Sequence, residues 1–126
     1  MTPRDFAGRY YDAISRRDIE YIFSLFEDDA TLYFPSQNEY IGKVAIMTFV
    51  KDVFFQQFVR IEYHDLTIVH SAENIAIKAY VTGSVSNTKS FEQIRYSEFL
   101  ELRDGHISRS EICIDMPALR AQVGKW

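Results

Sequence analysis

Glu98 stands in the run Tyr96-Ser97-Glu98-Phe99-Leu100-Glu101-Leu102, where Tyr96, Glu98, Leu100 and Leu102 share one face of a strand by alternation. If that face is the inner one, the acid lies among apolar side chains. Burial then disfavours its charged form and raises its pKa, which suits it to acid–base work. A solvent-facing Glu98 on the outer side of the sheet is the competing reading, since one bulge reverses the parity. His64 and His70 also share strand parity, but six residues separate them, too far for an obvious metal pair. His106 follows a turn signal and is expected in solvent. Cys113 has no base beside it, so a buried, inert thiol is expected. No glycine-rich phosphate loop, metal-ligand cluster or nucleophile elbow of the G-x-S-x-G type occurs, so neither a metal nor a cofactor is expected.

The elements that must position these residues follow from spacing. Thr2-Pro3-Arg4-Asp5 is a helix start, with a capping hydroxyl, proline at the first helical position and an acid three residues after the cap. Phe6, Tyr10, Ala13 and Ile14 recur behind it at helical spacing. Asp18 caps a second helix whose apolar face is Ile19, Ile22, Phe23 and Phe26; Asp28-Asp29 ends it. Ala30 to Phe34 reads as a short strand and Pro35 to Asn38 as a turn. A third helix is expected from Lys43 to Phe58, capped by Gly42, with Ile46, Phe49, Val50, Val53 and Gln57 on one face. After Phe58 the period falls to two. Strands are expected over Arg60–His70, Ile75–Val85, Phe91–Arg103 and His106–Asp115, with Asp104-Gly105 as a hairpin turn and Ser71 to Asn74 as another. Pro117 ends the last strand, and Ala118 to Val123 forms at most one helical turn.

This order predicts a single α+β domain spanning residues 1–126: three N-terminal helices packed on a strongly curved, mixed or antiparallel sheet, a cone with an internal pocket. The chain's 126 residues, 47% hydrophobic and 25% charged, suit one core of this kind. Eight Tyr, ten Phe and one Trp supply bulky rings for the core or for a cavity wall. The net charge is −4 and no basic run occurs, which disfavours nucleic acid. No apolar run approaches a membrane span, the N-terminus lacks a signal-peptide core, and one cysteine cannot form an internal disulfide. A cytoplasmic protein without membrane contact is the expectation.

Arg17-Asp18-Ile19-Glu20, Asp28-Asp29-Ala30-Thr31, Tyr40-Ile41-Gly42-Lys43 and Arg103-Asp104-Gly105-His106-Ile107 stand in the order and spacing of nuclear transport factor 2-like proteins. Within that superfamily the chain, from about Phe6 to Gly124, most resembles SnoaL-like proteins, relatives of polyketide cyclases and ketosteroid isomerases. The resemblance implies the cone fold, a small-molecule ligand, and a homodimer formed through the outer face of the sheet. It aligns Tyr10 with a tyrosine that donates to a developing oxyanion in the isomerases, chemistry a neutral phenol can do. Glu98 falls near a pocket acid of those enzymes. Asp115, in the tail Asp115-Met116-Pro117-Ala118-Leu119, resembles a catalytic acid of the cyclases; their pocket histidine has no match, and Glu101 stands in that neighbourhood. Phe34 replaces the isomerases' general base, and a phenyl ring accepts no proton.

The resemblance therefore implies cofactor-independent isomerase, cyclase or dehydratase chemistry on an apolar carbonyl or hydroxylated ligand. Tyr10 would polarise it, with Glu98 or Asp115 as acid or base, while Tyr33, Phe34, Tyr40, His64 and Tyr96 contact the ligand. The alternative is a non-catalytic ligand-binding or dimerisation module of the same fold, which the loss of an acid at Phe34 favours. The Asp–Arg–Asp set of an epoxide hydrolase is matched only in part, by Arg95 and Asp115.

Overall fold

Capping and periodicity do place the first helices in the computed structural model, which describes residues 1–34 and 38–124. The Thr2 hydroxyl accepts from the Asp5 amide at 3.0 Å and opens α1 (Pro3–Arg16). Phe6, Ala7, Tyr10, Tyr11, Ala13 and Ile14 are its buried stripe. Arg17 ends α1 in the left-handed region, φ 60°, and Asp18 caps α2 (Ile19–Leu25) by accepting from the Tyr21 amide at 3.1 Å.

Helix α2 stops earlier than its apolar spacing suggests. Phe26 belongs to β1 (Phe26–Phe34), which runs through Asp28-Asp29 instead of starting after them. Half-buried Glu27 and exposed Asp28 and Asp29 lie on the strand, where Arg103 reaches across to Glu27 and Asp29. The expected turn at Pro35, Ser36 and Gln37 lies outside the described residues. Asn38 starts β2 (Asn38–Ile41), a short strand that pairs antiparallel with β1 and that spacing alone did not reveal. Gly42, at φ 94°, is the cap that a side chain would strain, and its amide donates to the Ala30 carbonyl at 2.7 Å.

The expected third helix is broken in character though not in path. It comprises α3 (Lys43–Phe49), a π-helical segment (Val50–Phe54) and a last α-turn (Phe55–Gln57). A π turn takes up one residue more than an α turn, so the buried face changes phase within it. Phe54, Phe55 and Phe58 are buried, whereas Val53 and Gln57, expected on that face, are exposed. The Arg17 guanidinium closes this end by donating to the Phe55 and Phe58 carbonyls at 2.7 and 3.0 Å.

The remaining strands are β3 (Arg60–Ser71), β4 (Asn74–Ser84), β5 (Ser90–Arg103) and β6 (His106–Ile114). They form a mixed, open sheet of order β2-β1-β6-β5-β4-β3, in which β1 and β6 are parallel and the other neighbours antiparallel. Asp104 and Gly105 both have positive φ, 53° and 80°, as the tightest hairpin turn requires. Asp65 and Gln93, also at positive φ, mark breaks of register in β3–β4 and β4–β5. Such bulges bend a sheet, and here they curl it toward α1. The C-terminal turn is longer than expected: α4 (Met116–Val123), capped by Asp115. The expected α+β cone with three N-terminal helices is thus the observed fold.

Two glycines test this packing in opposite directions. A Cβ on Gly83 would lie 2.0 Å from the Arg60 carbonyl oxygen, so Gly83→Ala should force β3 and β4 apart and lower unfolding free energy by about 2 kcal/mol or more. Gly8 is exposed within α1 with open space around it, so Gly8→Ala should stabilise by about 0.5–1 kcal/mol. Chemical denaturation of both variants would read the two signs.

Candidate functional site

The alternation of β5 puts Glu98 on the inner face, between Tyr96 and Leu100, and leaves it only 2% exposed. In register, its neighbours are Ile77 on β4 and Ile112 on β6, so the strands beside it carry no charge to meet it. Hydroxyls do so instead. Tyr11 and Tyr96 donate to Oε1 at 2.8 and 2.6 Å; Tyr10 and Ser110 donate to Oε2 at 2.8 and 2.5 Å. Tyr10 and Tyr11 come from α1, Tyr96 from β5 and Ser110 from β6, so the carboxylate is reached from three elements.

Two opposed effects act on this acid. Burial penalises its charge, and four hydroxyl donors favour it; burial is the stronger, and the pKa of Glu98 is raised above the usual carboxylate range. The four neighbouring phenols, Tyr10, Tyr11, Tyr63 and Tyr96, are all pushed well above their usual value, first by burial and then by the adjacent Glu98 charge. Tyr63 joins the cluster through its ring: it stacks on Tyr11 at 4.3 Å between centroids and meets Tyr96 edge-on at 5.0 Å.

On the far side of the phenols lies a small cavity of about 30 Å³, room for roughly two waters. Tyr10, Phe26, Phe49, Phe54, Tyr63 and Tyr96 contribute rings to its wall, and aliphatic side chains close the rest. Glu98 does not line it, but Tyr10 and Tyr96, whose hydroxyls donate to Glu98, contribute to its wall. The π-helical segment supplies Val50 and Phe54 to the same wall, so the irregular turn is the cavity's roof.

The other residues singled out from sequence fall elsewhere. Asp115 spends its carboxylate on the Ala118 amide, at 3.1 Å, as the cap of α4. Phe34 is buried against Phe49 and Phe54, one ring behind the cavity wall. Tyr40 stacks on Phe49 at 4.4 Å. Tyr33 is partly exposed and lines a groove on the outer sheet face with Phe99 and Cys113. His64, opposite in parity to Tyr63, bonds Thr82 Oγ1 at 2.8 Å and Asp65 at 3.1 Å, away from the cavity. Cys113 corrects an expectation: alternation along β6 puts Ile112 and Ile114 inside and leaves the thiol exposed.

Three participants escaped sequence reasoning. Tyr63 shares strand parity with buried Ile61 and could have been found by it. Ser110 shares parity with Ile112 and Ile114, a polar residue on an apolar face. Tyr11 carried no such signal, because its value lies in being one helical step from Tyr10. Among the described residues no group of His, Cys, Asp or Glu could hold a metal ion, and no helix is long and apolar enough to cross a membrane.

A curved mixed sheet packed against N-terminal helices defines a class of α+β cone domains, and comparison places the chain within it. The sequence model of the SnoaL-like domain matches residues 7–110, and the chain belongs to that family. No curated protein matches it. Among solved structures it is similar to a candidate polyketide cyclase from Pseudomonas putida, with 18% identity, 98% of this chain and 99% of the other covered, and a TM-score of 0.86. A candidate polyketide cyclase from Xanthomonas campestris pv. campestris matches with 18% identity, 96% coverage of each chain and a TM-score of 0.85. A protein with a ketosteroid isomerase-like fold from Catenulispora acidiphila, in complex with trimethylamine, matches with 15% identity, coverage of 98% and 95%, and a TM-score of 0.85. At these identities the likeness is one of fold.

The raised pKa gives a pH signature. A folded state that holds the Glu98 proton more tightly than the unfolded chain is favoured at low pH, and that contribution is lost as pH rises from the usual carboxylate range through the raised value. The difference in unfolding free energy between the wild type and Glu98→Gln should therefore slope with pH in that window and be flat on either side. At alkaline pH the phenolate absorbance of Tyr10, Tyr11, Tyr63 and Tyr96 should appear only with the loss of circular dichroism. Early titration of all the tyrosines in the folded state would contradict their burial.

Proposed function

We propose that this chain is a small-molecule-binding SnoaL-like domain that seats an apolar ligand in the aromatic cavity, with the ligand's one polar group against the hydroxyls of Tyr10 and Tyr96. The observation that carries this reading is the Glu98 cluster: a buried carboxylate joined by phenols to an otherwise apolar space. A core needs no such group for stability, since burying a carboxylate costs several kcal/mol that its four hydroxyl partners must offset. Acid–base chemistry on a carbonyl or hydroxylated ligand would run through Tyr10, with Glu98 tuning it from behind. Neither Phe34 nor Asp115 brings a base to the cavity.

The non-catalytic reading has its own support. The cavity holds only a few heavy atoms as it stands, and every accepting position of ionised Glu98 is already filled. A larger ligand needs the π-helical roof to yield.

Two measurements separate the readings. Ligand-observed NMR should detect binding of 2-butanone or 2-butanol to the wild type and its loss in Val50→Phe, which fills the cavity from its roof; equal binding by a folded Val50→Phe protein would place the ligand elsewhere. Deuterium uptake from D2O into 2-butanone reads catalysis. Acceleration that falls about 100-fold or more in Tyr10→Phe identifies an enzyme, whereas binding without acceleration identifies a binding module.

Pairing through the outer sheet face is part of the same proposal. Tyr33 and Phe99, 37% and 40% exposed, form an apolar patch there. Light scattering should find a dimer, and Phe99→Lys a monomer of unchanged fold.

A further inference from the structure

The cavity lies under a seam between two parts of the fold. Ile14 of α1 and Ile22 of α2 line it from one side, and Val50 and Phe54 of the roof from the other. Arg17, at the corner between α1 and α2, bridges this seam just past Phe54. Its guanidinium donates to the Phe55 and Phe58 carbonyls at 2.7 and 3.0 Å and lies 4.4 Å over the Phe55 ring. Helix ends leave such carbonyls without intrahelical partners, and the roof's last turn carries no basic residue of its own. The donor therefore comes from another element, 38 and 41 positions away in sequence. The planar fork of an arginine can hold both carbonyls at once, which a point charge does less well.

The rest of the roof is fastened differently. Its start is pinned by the Gly42 amide on the Ala30 carbonyl, and the chain beyond its end by the Val59 amide on the Ser84 carbonyl at 3.0 Å. Between these points, among the described residues, Lys43 to Phe54 make no hydrogen bond to another helix or strand. Apolar packing holds them, with the Lys43 ammonium 4.1 Å over the Phe23 ring of α2. The backbone at Arg17 agrees with a role for its side chain. It closes α1 at φ 60°, where glycine is the unstrained choice, yet the residue there is the one that crosses to the roof.

We infer that Arg17 is the latch of this seam: it holds the roof against α1 and α2 and so sets the rate at which a ligand enters and leaves the cavity. This rests on the small-molecule reading above and adds the point of entry. Arg17 does not line the cavity; it acts through Phe55 and Phe58, which adjoin Phe54 of the wall, and is a positioning residue. Releasing it leaves the lining side chains unchanged. It therefore alters how often the seam parts, and not what the closed cavity prefers. A cap that served stability alone would leave the traffic of ligand as it was.

Arg17→Gly tests this, because glycine suits the left-handed backbone while the guanidinium is lost. Arg17→Lys keeps the charge but offers one point of contact for two carbonyls. Amide hydrogen exchange over residues 50–58 should quicken about tenfold or more in Arg17→Gly and less in Arg17→Lys. The amides of β5 and β6, which report global unfolding, should change by a smaller factor. NMR line shapes of 2-butanone should show association and dissociation both about tenfold faster in Arg17→Gly, with a dissociation constant within about twofold of wild type. Unchanged exchange in the roof would overturn the inference and leave the small-molecule reading standing. A weaker affinity with an unchanged association rate would do the same, since Arg17 would then shape the cavity instead of guarding it. Equal quickening of every protected amide would reduce Arg17 to a stabilising cap and overturn the inference too. Failure of 2-butanone to bind either protein, even with a faster-exchanging roof, would bring down the small-molecule reading and the latch with it.

Discussion

One carboxylate, Glu98, makes demands that the surrounding elements meet. Taking an acid to 2% exposure with no cation beside it among the described residues costs several kcal/mol, and the hydroxyls that offset this must come from elements distant in sequence. Tyr10 and Tyr11 are separated from Glu98 by more than eighty positions, and Ser110 arrives only after the Asp104-Gly105 hairpin has reversed the chain. The docking angle of α1, the register of β5 with β6 and the inward parity of β5 are thus mutually constrained. A shift of one residue in β5 would turn Glu98 outward and Phe99 into the core.

The same cluster gives the cavity its character. Its wall is almost wholly apolar, and the phenols of Tyr10 and Tyr96 that contribute to it give their protons to the acid behind them. In such a place a hydrogen bond is strong and an unmatched polar group is costly, so a ligand is judged by one atom. The π-helical turn matters here because it rotates Phe54 into the wall in place of Val53.

Much of this was legible in the chain. Caps at Thr2 and Asp18, the hairpin at Asp104-Gly105 and the change of period after Phe58 announced the order of elements, because each is a local conformational preference written in adjacent residues. Tyr10 and Glu98 could be nominated, since a phenol on a helix stripe and an acid on an apolar strand face are visible one at a time. Where Phe26 passes from helix to strand and where the third helix widens were not legible. There the Arg103 and Arg17 side chains and the buried rings override local preference, and their partners lie far off in sequence.

Asp115 and His64 show the limit from the other side. Each has a side chain capable of chemistry, and each spends it locally, on the Ala118 amide and on Thr82 with Asp65. By itself the sequence determined the α+β order, the family's cone and the absence of an acid at Phe34, all of which depend on residue type and near spacing. Only the tertiary structure decided that Glu98 faces inward, that Tyr11, Tyr96 and Ser110 join Tyr10 around it, and that Tyr63 completes the wall. Hydrogen bonds are settled by distance and direction among groups that meet only when a curved sheet closes over a helix, and no reading along one chain contains that geometry.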